Sequence, residues 1–98
     1  MTRNHAIDTL SSNLKQIRQF GVERIGLFGS HARSEQGPRS DVDVLVHFSK
    51  GGKTFDNYMG LRFYLETLFP GHSIDLVIEE TLKPRLRASI YKDTVYAS

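Results

Sequence analysis

Two short motifs, close together in the chain, carry residues that can handle phosphate groups and metal ions. Gly29-Ser30 follows the apolar run "VERIGLF", and Asp41-x-Asp43 opens the apolar run "DVDVLVHF". A glycine lets the backbone approach a ligand closely. A serine at a helix start presents a hydroxyl beside free amides, which attract an anion. The first motif therefore predicts a phosphate-binding turn.

The spacing of the two aspartates predicts that they share one face of a strand. Side chains alternate along a strand, so Asp41 and Asp43 point to one face while Val42 and Val44 point to the other. Two adjacent carboxylates repel each other unless a cation lies between them. Oxygen ligands without histidine or cysteine favour Mg²⁺ or Mn²⁺, and Mg²⁺ takes phosphate oxygens as further ligands. We therefore interpret this stretch as a site for a metal-bound nucleoside triphosphate.

Asp75, in "SIDLV", is a third candidate carboxylate near the start of a later strand. It lies beside the first two aspartates if the two strands are neighbours, and it can then bind a second metal ion or activate an attacking hydroxyl. Displacement at phosphorus depends mainly on positioning and charge neutralisation. Each motif alone is common at turns and strand ends, but their joint order favours a catalytic site.

Around these motifs the hydrophobic pattern predicts alternating helices and strands. In chain order, the predicted elements are helix 4–19, strand 22–28, short helix 30–36, strand 41–48, helix 54–69, strand 73–80, and a short helix with a tail from 81 onward. This order indicates an α+β fold in which helices pack against a small sheet. The pattern itself leaves the strand directions open.

Length and composition limit what the chain can be. With 98 residues, of which 39% are hydrophobic and 24% charged, we expect one globular domain over 1–98. Cysteine is absent from the sequence, so disulfides are excluded. No apolar run approaches membrane-spanning length, and we expect a cytoplasmic protein without a membrane partner. The formal charge of +2 disfavours a nucleic-acid partner, and the basic residues of 83–92 fit a solvated helix face.

Two further patterns are interpreted as structural. "GGKT" at 51–54 resembles part of a phosphate-binding P-loop, but the first glycine of that motif would fall on His47. We interpret it as a flexible loop. The other histidines, His5, His31 and His72, show no metal-ligand spacing either, so all four are predicted surface or packing residues. His31 is the exception to watch, because it follows the predicted phosphate-binding turn.

The spacing of Gly-Ser and Asp-x-Asp resembles the signature of the minimal nucleotidyltransferases, a small branch of the DNA polymerase β-like superfamily. The shared motifs are "GSHAR", "SDVDVLV" and "IDLV", and the order of elements extends the resemblance over nearly the whole chain. It implies the polymerase β-like nucleotidyltransferase fold, with a small mixed sheet of about three strands. Ser34 departs from the family, which usually has glycine there, and this departure affects the turn after the short helix and not the metal ligands.

The resemblance also implies the roles of individual residues. The implied phosphate-binding residues are Gly29, Ser30 and Arg33, and the implied catalytic metal ligands are Asp41, Asp43 and Asp75. The implied cofactor is Mg²⁺, as two ions and with Mn²⁺ as a substitute, and the implied substrate is ATP.

In the same family, small members are antitoxins that move AMP from ATP onto a tyrosine of a HEPN ribonuclease toxin. The resemblance thus implies protein AMPylation with a HEPN-type toxin as partner. Two alternatives stay open: an antitoxin that inhibits its toxin by binding alone, and a transferase acting on a small molecule or RNA. The aromatic residues of 55–69 are mostly predicted core or helix-face residues, and a subset left exposed would suit a partner-binding patch.

Overall fold

A computed structural model of the chain describes residues 2–29 and 41–98. In chain order, the elements in these residues are α1 (Arg3–Ser12), α2 (Leu14–Arg18), β1 (Val22–Phe28), β2 (Val42–Phe48), α3 (Phe55–Leu68), β3 (Ile74–Ile78), a 3₁₀-helix (Glu79–Thr81), α4 (Pro84–Asp93) and β4 (Val95–Tyr96). The short helix predicted over 30–36 lies outside the described residues. The predicted α+β class is confirmed.

The strands form one mixed sheet in the order β3-β2-β1-β4. β1 is antiparallel to both of its neighbours, β2 and β4, whereas β2 and β3 are parallel. Parallel neighbours need a crossover connection, and α3 lies in the segment that joins β2 to β3. The sheet has one strand more than the three predicted.

The additional strand, β4, comes from the segment predicted as a tail. Its two residues, Val95 and Tyr96, pair with Leu27 and Gly26 of β1, and Ala97 donates its N–H to a β1 carbonyl at 2.9 Å. A Cβ atom at Gly26 would lie 2.7 Å from the carbonyl oxygen of Val95, so the close approach requires glycine. Two residues are too few for an alternating pattern to be recognised.

The hydrophobic core lies between the sheet and the helices α1, α2 and α3. Its buried members are Ala6, Leu10, Ile17, Val22, Ile25, Leu27, Val42, Val44, Val46, Phe48, Leu61, Leu65, Phe69, Ile74 and Leu76. The alternation predicted for β2 is confirmed, since its four core residues are all buried. By contrast, α4 has no buried residue. Within the described residues, no helix is long and apolar enough to cross a membrane.

The predicted helix over 4–19 is divided into two at Asn13. The backbone of Asn13 leaves the helical region, with φ −117° and ψ 13°, and its N–H caps α1 by donating to Leu10 O at 3.1 Å. Its side chain donates from Nδ2 to Thr9 O at 2.8 Å and accepts a hydrogen bond from the Tyr64 hydroxyl at 2.9 Å. Asparagine competes well for backbone groups, so a helix break forms although the apolar spacing continues across it.

The "GGKT" segment, predicted as a flexible loop, is held against the turn before β1. Ser49 N donates to Gly21 O at 2.8 Å, and a Cβ atom at Gly52 would lie 2.5 Å from that same oxygen. Thr54 caps α3 by accepting from Asn57 N at 3.1 Å, while Asn57 Nδ2 donates to Gly52 O at 2.9 Å. Gly52 and Thr54 are therefore explained by contacts within the fold, which supports the interpretation that this segment is not a P-loop.

Candidate functional site

Asp43 and Asp75 occupy matching positions on neighbouring strands. β2 and β3 run parallel with Asp43 paired to Asp75, and with Val42 paired to Ile74 one residue earlier. Register partners point to the same face of a sheet, and neighbouring strands lie about 4.8 Å apart. The backbone ladder therefore holds the two side chains next to each other. This spacing suits a two-metal site, whose ions lie about 3.5–4 Å apart.

Asp41 lies directly before β2 at the same end of the strand pair. The N–H of Val42 donates to Ser73 O at 2.8 Å, so hydrogen bonding between the two chain segments reaches this point. Asp41 and Asp75 are exposed and Asp43 is half-buried. The structure thus brings the three aspartates to one end of the β2–β3 pair. Their role as metal ligands stays a prediction.

Gly29 follows β1 and lies against the carboxylate of Asp43. Phe28 is the register partner of Asp43, so the chain passes beside that carboxylate as it leaves the strand. A Cβ atom at Gly29 would overlap Asp43 Oδ2. The backbone there also has φ +70°, in the left-handed region that only glycine adopts at little cost. Close approach and backbone shape both require glycine at this position.

Ser30, His31, Arg33 and Ser34 lie outside the described residues. The predicted phosphate-binding roles of Ser30 and Arg33, and the suggested contact from His31, stay predictions. The described part of the motif is Gly29, and its contact with Asp43 joins the predicted phosphate-binding turn to the predicted metal ligands.

Comparison with known proteins agrees with this arrangement. The profile of the nucleotidyltransferase domain matches residues 7–97. The chain belongs to the nucleotidyltransferase family. It is accordingly a nucleotidyltransferase, an enzyme class that uses nucleotide substrates and divalent metal ions.

Individual relatives match this nucleotidyltransferase over most of their length. The protein adenylyltransferase MntA of Thermococcus cleftensis is 38% identical over 88 residues, which cover 89% of this chain and 87% of the relative. A candidate protein adenylyltransferase of Methanocaldococcus jannaschii is 36% identical over 80 residues, covering 80% and 79%. A solved structure of a candidate minimal nucleotidyltransferase superposes with a TM-score of 0.82 at 33% identity, over 97% of this chain and 95% of the other. The expected fold is confirmed.

A second group of charged side chains, which we term the His47 cluster (His47, Glu23, Glu79 and Glu80), lies at the other end of β2. The histidine Nε2 is 2.9 Å from Glu23 Oε2, and Nδ1 is 2.7 Å from Glu80 Oε1 and 2.9 Å from Glu79 Oε2. The sequence suggested only a surface or packing role for this histidine. A signal was present, because His47 continues the period-two face that begins with Asp41 and Asp43.

Glu79 is the buried anchor of this cluster. Arg24 donates to its Oε2 at 2.9 Å and the hydroxyl of Tyr96 donates to its Oε1 at 3.1 Å, while the guanidinium lies 5.2 Å from the centre of the tyrosine ring. Burial alone would raise the pKa of Glu79, but the hydrogen bonds from Arg24 and Tyr96 outweigh it and hold that pKa below its ordinary value. The same pairing raises the pKa of Arg24. Burial, reinforced by the bond to Glu79, raises the pKa of Tyr96 to about 12.

Proposed function

We propose that this nucleotidyltransferase transfers AMP from ATP to a tyrosine hydroxyl of a HEPN-type ribonuclease toxin in the cytoplasm and so neutralises it. The observation that carries the proposal is the register pairing of Asp43 with Asp75, beside the glycine backbone at Gly29. The names of two relatives, both given as protein adenylyltransferases or candidates for that activity, support a protein as acceptor.

The donor set fits Mg²⁺. Asp41, Asp43 and Asp75 offer carboxylate oxygens alone, the ligand type that suits hard cations, and two of the three are exposed at the end of the strand pair. These three residues would hold the metal ions together with phosphate oxygens of ATP. When bound, Mg²⁺ would neutralise charge on those oxygens and favour ionisation of the attacking hydroxyl.

The transfer forms one bond and breaks one at the α-phosphorus of ATP. The tyrosine oxygen bonds to that phosphorus, and the bond to the bridging oxygen of the leaving pyrophosphate breaks. We assign to the exposed carboxylate of Asp75 on β3 the role of receiving the proton of the incoming hydroxyl. Gly29 brings backbone without a side chain next to the Asp43 carboxylate, and we expect the phosphate groups of ATP to bind beside this backbone.

Exposed aromatic side chains on α3 support a protein partner. Phe55 is 76% exposed and Phe63 is 58% exposed, although the same helix buries Leu61 and Leu65 in the core. Large aromatic residues left on a surface contribute strongly to protein–protein contacts. Of the aromatic residues predicted for the core, Phe69 is buried.

The test is to incubate the protein with the HEPN-type product of the neighbouring gene, ATP and Mg²⁺, and to measure the intact mass of that product. We expect the mass to rise by one or more AMP units, and digestion to place them on tyrosine. In the double variant Asp41→Asn with Asp43→Asn, we expect transfer to vanish while thermal unfolding shows the fold intact, since asparagine keeps the size of each side chain and removes the repulsion between the two carboxylates.

Each result has a definite meaning. An unchanged mass together with tight binding would replace transfer by inhibition through docking alone. Transfer at the wild-type rate by the double variant would refute the assignment of the aspartates. AMP attached to a small molecule or RNA, and never to protein, would show that the enzyme is not a protein adenylyltransferase and would favour the alternative acceptor.

A further inference from the structure

The His47 cluster and the three aspartates lie on the same strand but at separate places. His47 is four residues beyond Asp43 on β2 and shares its face, so the two positions are about 13 Å apart at about 3.3 Å per residue. Glu79 and Glu80 follow β3 in the 3₁₀-helix, at the far end from Asp75. The cluster is therefore outside the reach of a metal ion bound by the aspartates.

The two nitrogens of His47 have different surroundings. Nε2 faces Glu23 Oε2 at 2.9 Å, a distance at which a ring N–H donates to the carboxylate. Nδ1 is sealed from solvent, and among the described residues it is the one buried side-chain nitrogen or oxygen without a hydrogen-bond partner. Oxygens of Glu79 and Glu80 lie within 2.9 Å of Nδ1, but not where a hydrogen on that nitrogen would point. A proton on Nδ1 therefore leaves these contacts unsatisfied.

Two structural details hold these groups in place. Val22 pairs with Phe48 but Arg24 pairs with His47, so Glu23 is the extra residue of a β-bulge. A β-bulge changes the direction of the side chains around it. Here the two residues that follow Val22 both contact the His47 cluster: Glu23 contacts His47, and Arg24 contacts Glu79. On the other side, the N–H of Phe48 donates to one oxygen of Glu80 at 3.4 Å, and the second oxygen of Glu80 faces Nδ1.

The charges of the cluster do not balance. Glu23, Glu79 and Glu80 bring three carboxylates to one imidazole, and two guanidinium groups are nearby: Arg24, paired with Glu79, and Arg87, which lines the adjacent cavity of about 170 Å³. One negative charge remains when the imidazole is neutral. A buried nitrogen with two carboxylate oxygens within 2.9 Å, and with no hydrogen bond to either, needs a positive charge among these atoms.

We propose that His47 Nδ1, Glu79 and Glu80 bind one divalent transition-metal ion, with Zn²⁺ preferred over Mg²⁺. One atom from each residue lies within 4.8 Å of the others. Imidazole and carboxylate together are zinc ligands, whereas Mg²⁺ takes oxygen. Ligands at about 2.1 Å in tetrahedral geometry are about 3.4 Å apart, so these atoms need shifts below about 1 Å. Glu23 behind Nε2 completes the carboxylate–histidine–metal arrangement, which fixes the ring and its tautomer.

The experiment uses Zn²⁺ alone and removes the other metal site. ZnCl₂ is titrated by calorimetry into the full chain carrying Asp41→Asn, Asp43→Asn and Asp75→Asn. We expect one Zn²⁺ per chain. Adding His47→Gln or Glu80→Gln weakens binding at least tenfold, because each substitution removes one of three protein ligands. MgCl₂ at equal concentration gives no heat of binding.

The matched control is His5→Gln, which removes an exposed histidine on α1, a helix that contributes no residue to the cluster. It leaves the affinity for Zn²⁺ unchanged. Crystals grown with ZnCl₂ show anomalous scattering between His47 and the two glutamates. Thermal unfolding in chelator confirms that each variant is folded, and the exposed position of Glu80 keeps the test available if His47→Gln does not fold.

Three results would overturn the assignment. The first is no Zn²⁺ uptake by the triple-aspartate variant. The second is equal uptake after His47→Gln and Glu80→Gln. The third is loss of uptake in the His5→Gln control, which would show that the Zn²⁺ binds at a site that includes His5. NMR spectra that show both nitrogens of His47 protonated, with no metal bound, would also overturn the assignment. The remaining negative charge of the cluster would then be balanced by a proton and not by a metal ion.

Discussion

The two ends of β2 present charged side chains on the same face of the sheet but hold them in different ways. At the Asp43 end, backbone pairing with β3 sets the position of the carboxylates, and the side chains of Asp41 and Asp75 stay exposed. At the His47 end, side chains set each other's positions, and Glu79, with 5% of its surface exposed, accepts hydrogen bonds from two elements.

The difference indicates what each end is suited to. Carboxylates placed by a backbone ladder and open to solvent can meet a substrate without rearranging the fold, so substitutions there should change chemistry more than stability. A buried network of side chains contributes to stability instead, because each member satisfies another. The same network can enclose a small ion but not a nucleotide.

The largest effect expected is the loss of transfer in Asp75→Asn. An amide at this position keeps the size of the side chain but removes the charge that lies beside Asp43. Metal-assisted charge stabilisation supplies several kcal/mol, and each 1.36 kcal/mol is tenfold in rate, so we expect AMP transfer to fall by about a thousandfold or more. Transfer rates measured with radiolabelled ATP check the loss of activity. A thermal unfolding curve checks that the stability of the variant matches that of wild type.

Asp8→Asn is the matched control for this substitution, because Asp8 is an exposed aspartate on α1. It should keep the full transfer rate. A large loss of stability in Asp75→Asn would contradict the view that this end serves chemistry, and a wild-type rate would remove Asp75 from the site.

An intermediate effect is expected where the backbone itself touches a carboxylate. Gly29→Ala introduces a Cβ that overlaps Asp43 Oδ2 at φ +70°, whereas Gly51→Ala meets a similar φ of +79° with nothing within 4 Å. The left-handed conformation alone costs about 1–2 kcal/mol for alanine. We expect Gly51→Ala to lose about that amount and Gly29→Ala about 1 kcal/mol more, together with most of its activity. Urea unfolding measures the two free energies.

Equal losses in the two glycine variants would mean that the turn at Gly29 can move away from Asp43. In that case the contact between Gly29 and Asp43 would not be needed for the fold. The link between the Gly-Ser and Asp-x-Asp motifs would then be supported only by their spacing in the sequence.

The smallest effect belongs to the His47 end. Tyr96→Phe removes the hydroxyl that donates to Glu79 and should lower the free energy of unfolding by about 1 kcal/mol at neutral pH. The pKa of Tyr96 is raised from 10.0 to about 12, so the folded state holds this proton more tightly than the unfolded state does. The resulting stabilisation is complete below pH 10 and is lost as the pH rises through about 12.

Unfolding in urea at a series of alkaline pH values, in the presence of chelator, compares the two proteins. The fall in stability above pH 10 should be steeper for wild type than for Tyr96→Phe. If stability falls equally with pH in the two proteins, the folded state does not hold the Tyr96 proton more tightly than the unfolded state. The hydrogen bond from Tyr96 to Glu79 would then be weaker than its geometry indicates.

The sequence predicted the placement of the aspartates at the Asp43 end because the information for it is local. Asp41 and Asp43 are two residues apart on an alternating strand, and the pairing of Asp75 needs only that the two strands be neighbours. The buried face of β2 followed from the same alternation. The hydrophobic pattern supplied the order of the elements, and the family resemblance then supplied the fold.

The His47 end could not be predicted in the same way because its members are spread along the chain. Glu23, His47, Glu79 and Tyr96 come together only when β1 pairs on both sides and the bulge turns Glu23 toward His47. The two-residue strand that carries Tyr96 is too short for a periodic signal. Asn13 ended a helix by side-chain hydrogen bonds that apolar spacing does not record.

The bulge at Glu23 has an evolutionary consequence. Loss of that single codon would leave Val22 opposite Phe48 and Arg24 opposite His47, now as consecutive residues of a regular strand, while Phe28 stays opposite Asp43. The Asp43 end of the sheet would keep its alignment, and His47 would lose the carboxylate beside its Nε2. Lineages could therefore acquire or discard the carboxylate behind His47 by one in-frame indel, while His47, Glu79 and Glu80 and the rest of the sheet keep their register.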